Sequence, residues 1–310
     1  MIRKLYILSS IILIVALLAS LLFLILNQNT SHRFIQKNNV KLSNLYMESS
    51  PFVWNGQLKY FVAERDDKKK IYDLAIYDFA TRKKEVTFGK GLGLGSAAVI
   101  NNTLYVTATK DWFEFGKSEV YLMTSTDLRT FSKPKLILKA AGDQKIFNSD
   151  ITYDTNAKKF VISYESQDSH SVPFTIYFLE SKDGNKWEPV NDAIFGKDIY
   201  VACPTIKYLD KYYYLLFVKE EYYDPNCPKC KSYVAEIARS QDLKKWQTSP
   251  DQFLVADKND EGDNNSDVDL TEYNGNTYLF YAIGDQNSWG GLKYAEYNGS
   301  MQELFSDYFN

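Results

Sequence analysis

Residues 240–246 read Ser240-Gln-Asp-Leu-Lys-Lys-Trp246, and the chain repeats this pattern of Ser-x-Asp followed by an aromatic residue. The other copies are Ser125-Thr-Asp-Leu-Arg-Thr-Phe131 and Ser181-Lys-Asp-Gly-Asn-Lys-Trp187. The copies begin 56 and then 59 residues apart (181 − 125 and 240 − 181). A fixed period in this range, with strand and turn signals, is typical of the blades of a β-propeller. Because Ser and Asp oxygens accept hydrogen bonds from the backbone of the turn that follows, the pattern first indicates structure.

Five pairs of short apolar runs, each pair joined by a turn, predict the first hairpin of five blades. Two of the turns are Asn-Gly, at residues 55–56 and 274–275, which is the strongest short signal for a hairpin. The other turns centre on residues 101–102, 155–157 and 210–211. The sequence therefore predicts an all-β fold, a five-bladed β-propeller spanning residues 44–310, preceded by one N-terminal transmembrane helix.

The first 26 residues differ from the rest of the chain. Arg3 and Lys4 precede an apolar run over residues 5–26, which has about the ~20 residues that a bilayer-spanning helix needs. A cleaved signal peptide stays open as the alternative to this membrane anchor. Residues 27–43 are rich in Asn, Gln, Ser and Lys and predict a polar stalk. We expect a single-pass membrane protein with its propeller on the extracytoplasmic side.

Composition narrows the classes of function and partner. The net charge of −3 gives no basic surface for nucleic acid. Only two His, His32 and His170, occur among 310 residues, so neither a His-rich metal site nor a His-based triad is expected. Cys227 and Cys230 are spaced for a short-loop disulfide, which would suit an exported domain.

Acidic residues recur where first strands begin and second strands end, which is a single face of a propeller. They include Glu48, Asp150, Glu165, Glu220, Asp267 and Asp269. Trp54 and Trp289 accompany them on the predicted face. Any one of these acids could instead be a solvent-exposed turn residue without a role in function. A ring of carboxyl groups beside aromatic faces, however, suits hydrolysis of a glycosidic bond. No cofactor is expected, although Asp263 with Asp267 and Asp269 leaves Ca²⁺ open as an alternative.

The repeated motifs resemble the five-bladed β-propeller glycoside hydrolase superfamily that contains families 43, 32, 62 and 68. The strongest matches are residues 237–246, Ile-Ala-Arg-Ser-Gln-Asp-Leu-Lys-Lys-Trp, and residues 125–134. The resemblance covers about residues 45–309, and its last blade resembles uncharacterised members. In families 43 and 32, catalytic carboxylates begin inner strands of blades one, three and four. Blade four reads Cys203-Pro204 where the resemblance implies a glutamic acid.

The sequence thus predicts a glycoside hydrolase-like protein that acts on a poly- or oligosaccharide through carboxylates in its central funnel. The expected catalytic residues are Glu48, Asp150 and Glu220, the last replacing the missing glutamic acid. The expected substrate-binding residues are Trp54, Glu165, Asp267, Asp269 and Trp289. The alternatives are a non-catalytic glycan-binding propeller that uses the same pocket and a propeller that serves as a platform for protein interactions.

Overall fold

The structure, a computed structural model, describes residues 34–44, 48–66, 71–110, 118–168, 174–222, 226–227, 231–285 and 288–309. Gln36–Asn310 form one compact unit, and only Phe34 and Ile35 are described of the residues before it. Among the described residues, no helix is long and apolar enough to cross a membrane. The predicted anchor at residues 5–26 lies outside the described residues.

The described strands form three four-stranded antiparallel sheets and one eight-stranded sheet, whose two four-stranded halves meet through a single parallel pair, Tyr233 with Asn264. Each four-stranded sheet or half is one blade, which gives five blades. Blades one to four follow the chain order, as β2 to β5, β6 to β9, β10 to β13 and β14 to β17. Blade five combines β18, β19 and β20 with β1. The strands are β1 (Ile35–Lys37), β2 (Ser49–Trp54), β3 (Gln57–Asp66), β4 (Ile71–Asp78), β5 (Lys84–Phe88), β6 (Leu92–Ile100), β7 (Thr103–Lys110), β8 (Glu119–Ser125), β9 (Lys135–Lys139), β10 (Lys145–Asp154), β11 (Lys159–Gln167), β12 (Thr175–Ser181), β13 (Glu188–Phe195), β14 (Val201–Leu209), β15 (Tyr212–Tyr222), β16 (Lys231–Ser240), β17 (Gln247–Thr248), β18 (Asn264–Tyr273), β19 (Asn276–Asp285) and β20 (Ser288–Tyr297).

The predicted hairpin turns are confirmed. Asn55 and Gly56 have φ values of 49° and 74°, and Asn274 and Gly275 have 51° and 85°. Positive φ at both central residues is what a two-residue turn between right-twisted strands requires, and Asn and Gly adopt it at low cost. The two-residue turns at 101–102 and 210–211 also have positive φ at both positions.

The Ser-x-Asp motifs end third strands and fix the turns that follow. In the copy at residues 240–246, Asp242 Oδ1 accepts the backbone N–H groups of Lys244 and Lys245 at 2.9 and 2.8 Å. Ser240 Oγ accepts the N–H of Leu243 at 2.9 Å. The copy at residues 125–131 makes the same set of bonds. The structural interpretation of the motif is therefore confirmed.

The aromatic residue that closes the motif packs against the preceding blade. Trp246 of blade four stacks on Phe178 of blade three with ring centroids 5.5 Å apart. Phe131 of blade two stacks on Phe88 of blade one at 3.7 Å. Apolar clusters between successive blades form the core. Each repeat therefore carries the side chain that joins it to its neighbour.

The N-terminal strand completes blade five and closes the ring. β1 is the outer partner of β20. The backbone N–H groups of Asn38 and Leu42 donate to the carbonyls of Tyr294 and Leu292 at 3.0 and 2.7 Å. Lys37 reaches the buried carboxylate of Glu261. Residues 35–37, which the sequence assigned to the stalk, thus form a strand of the sheet, and residues 38–42 are held to β20 by backbone hydrogen bonds.

A short C-terminal helix, α1 (Met301–Ser306), packs beside blade four. Ser300 and Glu303 form a capping box at its start, so both orphan backbone donors are satisfied. Phe305 is buried and lies 4.7 Å from the ring of Tyr214 in β15.

Candidate active site

Four of the five first strands carry an irregularity in their pairing near the end where the blade begins. The register shifts lie between Gly93 and Ser96, Ile146 and Ser149, Ala202 and Thr205, and Ser266 and Asp269. Cys203 and Asp267 occupy these irregular segments with left-handed φ values of 51° and 52°. Such bulges re-aim side chains beside active sites. The sequence analysis did not predict them, because neither segment places Gly at the left-handed position.

One small cavity lies among the first strands of all five blades. Its lining includes Glu48 of blade one, Ser96 of blade two, Ser149 of blade three, Cys203 of blade four and Asp267 of blade five. Its volume is about 30 Å³. All five blades therefore contribute residues to one small cavity.

Three carboxyl groups, those of Glu48, Glu165 and Asp267, surround the Cys203 thiol and are called the acid cluster. Glu165 Oε2 accepts the backbone N–H of Cys203 at 2.8 Å and the side-chain amide of Asn148 at 3.2 Å. The Cys203 thiol hydrogen-bonds the Asp267 carboxyl group. The charges of Asp267 and Glu165 both act on Glu48. Cys203, which replaces the expected glutamic acid, therefore lies at the centre of an acidic site.

Burial governs the protonation of the acid cluster. It raises the pKa of Glu48 to about 8, and the charge of Asp267 adds to this shift. Burial also raises the pKa of Glu165 to about 8 and raises the pKa of Asp267. The pKa of the Cys203 thiol is raised by burial and then by the neighbouring carboxylates. The cluster therefore holds protons at neutral pH, as a general acid must.

A second group, called the floor network, joins Ser96, Asp150, Lys207 and Asp269 of four different blades. Lys207 Nζ lies 2.6 Å from Asp269 Oδ1 and 3.8 Å from Asp150 Oδ2. Ser96 Oγ donates to Asp150 Oδ1 at 2.5 Å, and the Ile206 N–H donates to Asp150 Oδ2 at 2.7 Å. Burial raises the pKa of Asp150 to about 6, although the Lys207 charge opposes the shift. Asp150 is thus paired with a cation, which the sequence analysis did not anticipate.

Glu220 is not brought together with the acid cluster. Its carboxylate pairs with Lys231 and accepts the hydroxyl groups of Tyr222 and Tyr233 at 2.9 and 3.2 Å. Burial opposes ionisation, but these partners hold the pKa of Glu220 below its usual value. Register explains the displacement. Ser149, the first paired residue after the β10 bulge, pairs with Tyr164, one residue before Glu165, whereas Thr205, the first after the β14 bulge, pairs with Leu216, four residues before Glu220. Glu220 therefore stands about 10 Å further along its strand.

The structure locates the side chain of only one of the two tryptophans of the predicted site. Trp54 ends β2, six residues after Glu48, at the hairpin side of blade one. Six strand residues span about 20 Å, so Trp54 lies at the opposite face, where it packs against the core cluster of blades one and two. The structure therefore does not bring Trp54 together with the acid cluster. Trp289 lies in β20, but its side chain is outside the described part of the chain.

Other aromatic residues stand beside the acid cluster, and the sequence analysis missed them. The rings of Phe147, Phe174, Tyr200 and Tyr233 contact one another in that order, with centroids 5.1, 5.3 and 5.8 Å apart. Burial, followed by the charges of Glu165 and Cys203, raises the pKa of Tyr200. This aromatic wall therefore borders the cluster. None of its members lies in the repeated motif, although Phe147 falls within the β10 bulge.

The structure gives no support to a Ca²⁺ site at the three aspartates named above. The Asp263 side chain is 44% exposed and faces Lys258 at 3.9 Å, whereas Asp267 and Asp269 are buried. Across the described ranges, no group of three or more His, Cys, Asp or Glu side chains could hold a metal ion.

The cysteines divide into one thiol and one disulfide partner. Cys203 is free, and Cys227 is disulfide-bonded. Cys230, the predicted partner of Cys227, lies outside the described residues. The free thiol is thus the one at the acid cluster.

Comparison with known proteins places the fold. No family model matches the sequence, and no curated protein matches it. A xylan β-1,4-xylosidase from Bacillus halodurans is 20% identical, with a TM-score of 0.60 over 85% of this chain and 54% of that one. An α-L-arabinofuranosidase from Fusarium graminearum, bound to an iminosugar inhibitor, is 10% identical, with a TM-score of 0.59 over 88% and 98%. An exo-1,5-α-L-arabinanase from a bovine ruminal metagenomic library is 14% identical, with a TM-score of 0.55 over 83% and 93%.

These structures are glycoside hydrolases of the five-bladed β-propeller type, and the predicted fold resemblance is confirmed. The chain spans about half the length of the xylosidase and nearly all of the other two. At 10 to 20% identity, the likeness concerns the fold.

Proposed function

We propose that this protein hydrolyses glycosidic bonds at the acid cluster. The observation that carries the proposal is the gathering of three buried carboxyl groups around Cys203: Glu48 and Asp267 line the small cavity between the first strands, and Glu165 binds Cys203 and Asn148, which line the same cavity. Glycosidases need one protonated and one ionised carboxyl group beside the scissile bond. The fold shared with a xylosidase, an arabinofuranosidase and an arabinanase supports pentose-containing glycans as the first substrates to test.

In this proposal, Glu165 is the general acid. Its pKa of about 8 keeps it protonated at neutral pH, and its hydrogen bonds to Cys203 and Asn148 fix its orientation. It would protonate the leaving oxygen of the glycoside.

Glu48 and Asp267 supply the ionised partner. Because each carboxylate disfavours the charge of the other, protonation of one favours ionisation of its neighbour. The ionised member would activate water or attack the sugar, and the aromatic wall would stack on the sugar face. Asp150 and Glu220, the other expected catalytic residues, are paired with Lys207 and Lys231, so the proposal leaves the chemistry to the acid cluster.

A glycan-binding propeller without hydrolysis is the second candidate. The observation that favours it is Cys203, which occupies the place of an expected glutamic acid and whose thiol is held protonated by burial. In this case the same carboxyl groups would accept hydrogen bonds from sugar hydroxyl groups.

The test compares the wild-type protein with Glu165→Gln and Glu48→Gln on aryl pentosides, arabinan and xylan. We expect each substitution to reduce hydrolysis by about 10²- to 10⁴-fold, the usual contribution of a general acid or base. Glu236→Gln is the matched control, because Glu236 of β16 is also buried but pairs with Lys219 of β15 at 3.1 Å. It should retain activity within about twofold.

The outcomes separate the candidates. Full activity in both cluster variants would contradict the catalytic assignment. Glycan binding without cleavage, lost in the same two variants, would establish the binding function instead. Loss of activity in Glu220→Gln alone would restore the prediction made from the sequence.

A further inference from the structure

The floor network crosses the middle of the propeller. Lys207 comes from blade four, and its two carboxylate partners, Asp150 and Asp269, come from blades three and five. Ser96 of blade two adds a hydrogen bond to Asp150. The Asp150 and Asp269 side chains are 1% and 3% exposed, and Lys207 is 15% exposed. Water therefore has little access to the ion pairs of the network.

The members of the network line different cavities. Ser96 and Asp269 line the small cavity of the acid cluster. Lys207 lines a wider cavity of about 500 Å³, together with residues near the hairpin ends of the first strands, including Val53, Asn101 and Tyr153. The network therefore lies between the two cavities.

The network meets the acid cluster at the small cavity, which Asp269 lines together with Glu48 and Asp267. Asp269 Oδ1 binds Lys207, and Asp269 Oδ2 is buried without a hydrogen-bond partner among the described residues. The charged groups that face Lys207 are Asp150 of β10 and Asp269 of β18. Although burial lowers the pKa of Lys207, these two carboxylates raise it above its ordinary value. Lys207 thus balances the negative charge of Asp150 and Asp269, and Asp269 lines the cavity of the acid cluster.

We infer that Lys207 is a positioning residue, which pairs Asp150 and Asp269 as a charged floor beneath the acid cluster and leaves the acid–base steps to Glu48, Glu165 and Asp267. This inference rests on the proposed function and assigns Asp150 to the floor. The sequence offers only a weak signal for it, a lysine among the apolar residues of a first strand.

The test uses Lys207→Met, which keeps the length of the side chain and removes its charge, and Lys207→Arg, which restores the charge. Lys219→Met is the matched control, because Lys219 pairs with two carboxylates of blade four, Glu221 and Glu236, away from the cavity. For each variant, the pH dependence of kcat/KM and the urea midpoint at pH 5 and pH 8 are measured.

We expect Lys207→Met to move the acidic limb of the pH–rate profile upward by at least half a pH unit, because the base then ionises beside unbalanced negative charge. Lys207→Arg should return the limb toward the wild-type position, and Lys219→Met should leave it unchanged. The urea midpoint of Lys207→Met should fall more at pH 8, where Asp150 with its pKa of about 6 is ionised, than at pH 5.

An unchanged pH–rate profile in Lys207→Met would overturn the inference, even if the protein became less stable. If the wild-type protein cleaves no glycoside, the proposed function is wrong. The urea midpoints then test the charged floor network independently of activity. An equal loss of stability at both pH values would then contradict a charged floor, and a larger loss at pH 8 would support it.

Discussion

At the residue scale, the position along a strand decides which acid enters the site. Glu48 and Asp267 were predicted from the rule that first strands begin at the funnel, and both line the cavity. Glu165 and Glu220 satisfied the same sequence rule, yet, counted from the bulge of the neighbouring first strand, Glu220 lies three residues further along than Glu165. The pairing register depends on β-bulges in the first strands. Glycine often signals a bulge, but the left-handed positions here are Cys203 and Asp267. The sequence therefore could not distinguish the two glutamates.

The buried Glu165 carboxyl group should make stability depend on pH. Its pKa is about 8 in the folded protein, against about 4.3 in an unfolded chain. Between these values the folded state binds more protons, so the free energy of unfolding falls as pH rises from about 4.5 to 8. Glu165→Gln should therefore match the wild type near pH 5 and exceed it at pH 9 by on the order of 3 kcal/mol.

Urea unfolding at pH 5, 7 and 9 measures this difference. Glu180→Gln is the control, since the Glu180 side chain is 39% exposed and pairs with Lys159 at 2.5 Å. Parallel stability curves for the wild type and Glu165→Gln across the whole pH range would show that Glu165 ionises freely in the folded state.

At the element scale, the repeated turns were predictable and the closing strand was not. The Ser-x-Asp motifs and the Asn-Gly turns act through local hydrogen bonds and backbone preference, which a short stretch of sequence contains. β1 has only three residues, and its pairing with β20 joins positions far apart in the chain. A short polar stretch that is stabilised by distant residues carries no periodic signal, and it was therefore assigned to the stalk.

Removal of β1 should destabilise the propeller. A chain that begins at residue 34 keeps Lys37 and its bond to Glu261, whereas a chain that begins at residue 44 leaves the buried Glu261 carboxylate without this partner. Loss of one partner of a buried pair costs about 3 kcal/mol or more, so the melting temperature should fall by about 5 °C or more. Calorimetry of the two chains measures it, and equal melting temperatures would mean that the ring closes without β1.

At the scale of the whole molecule, the five-bladed arrangement followed from the period of the motif together with the hairpin turns. The membrane anchor at residues 5–26 stays a prediction. The full chain should remain in the membrane fraction after a carbonate wash, and the chain that begins at residue 34 should be released from it. A mature protein that starts near residues 20–28 would identify a cleaved signal peptide instead.

The central claim is that a glycan is bound and cleaved at the acid cluster, and a crystal structure of Glu165→Gln soaked with an oligosaccharide that the wild type cleaves tests it most directly. We expect a sugar at the opening of the cavity, stacked beside Tyr200, with the glycosidic oxygen within hydrogen-bond distance of Gln at position 165. The same soak of Glu236→Gln controls for changes unrelated to the cluster. A glycan bound in the wider cavity beside Lys207, with the acid cluster unoccupied, would contradict the claim.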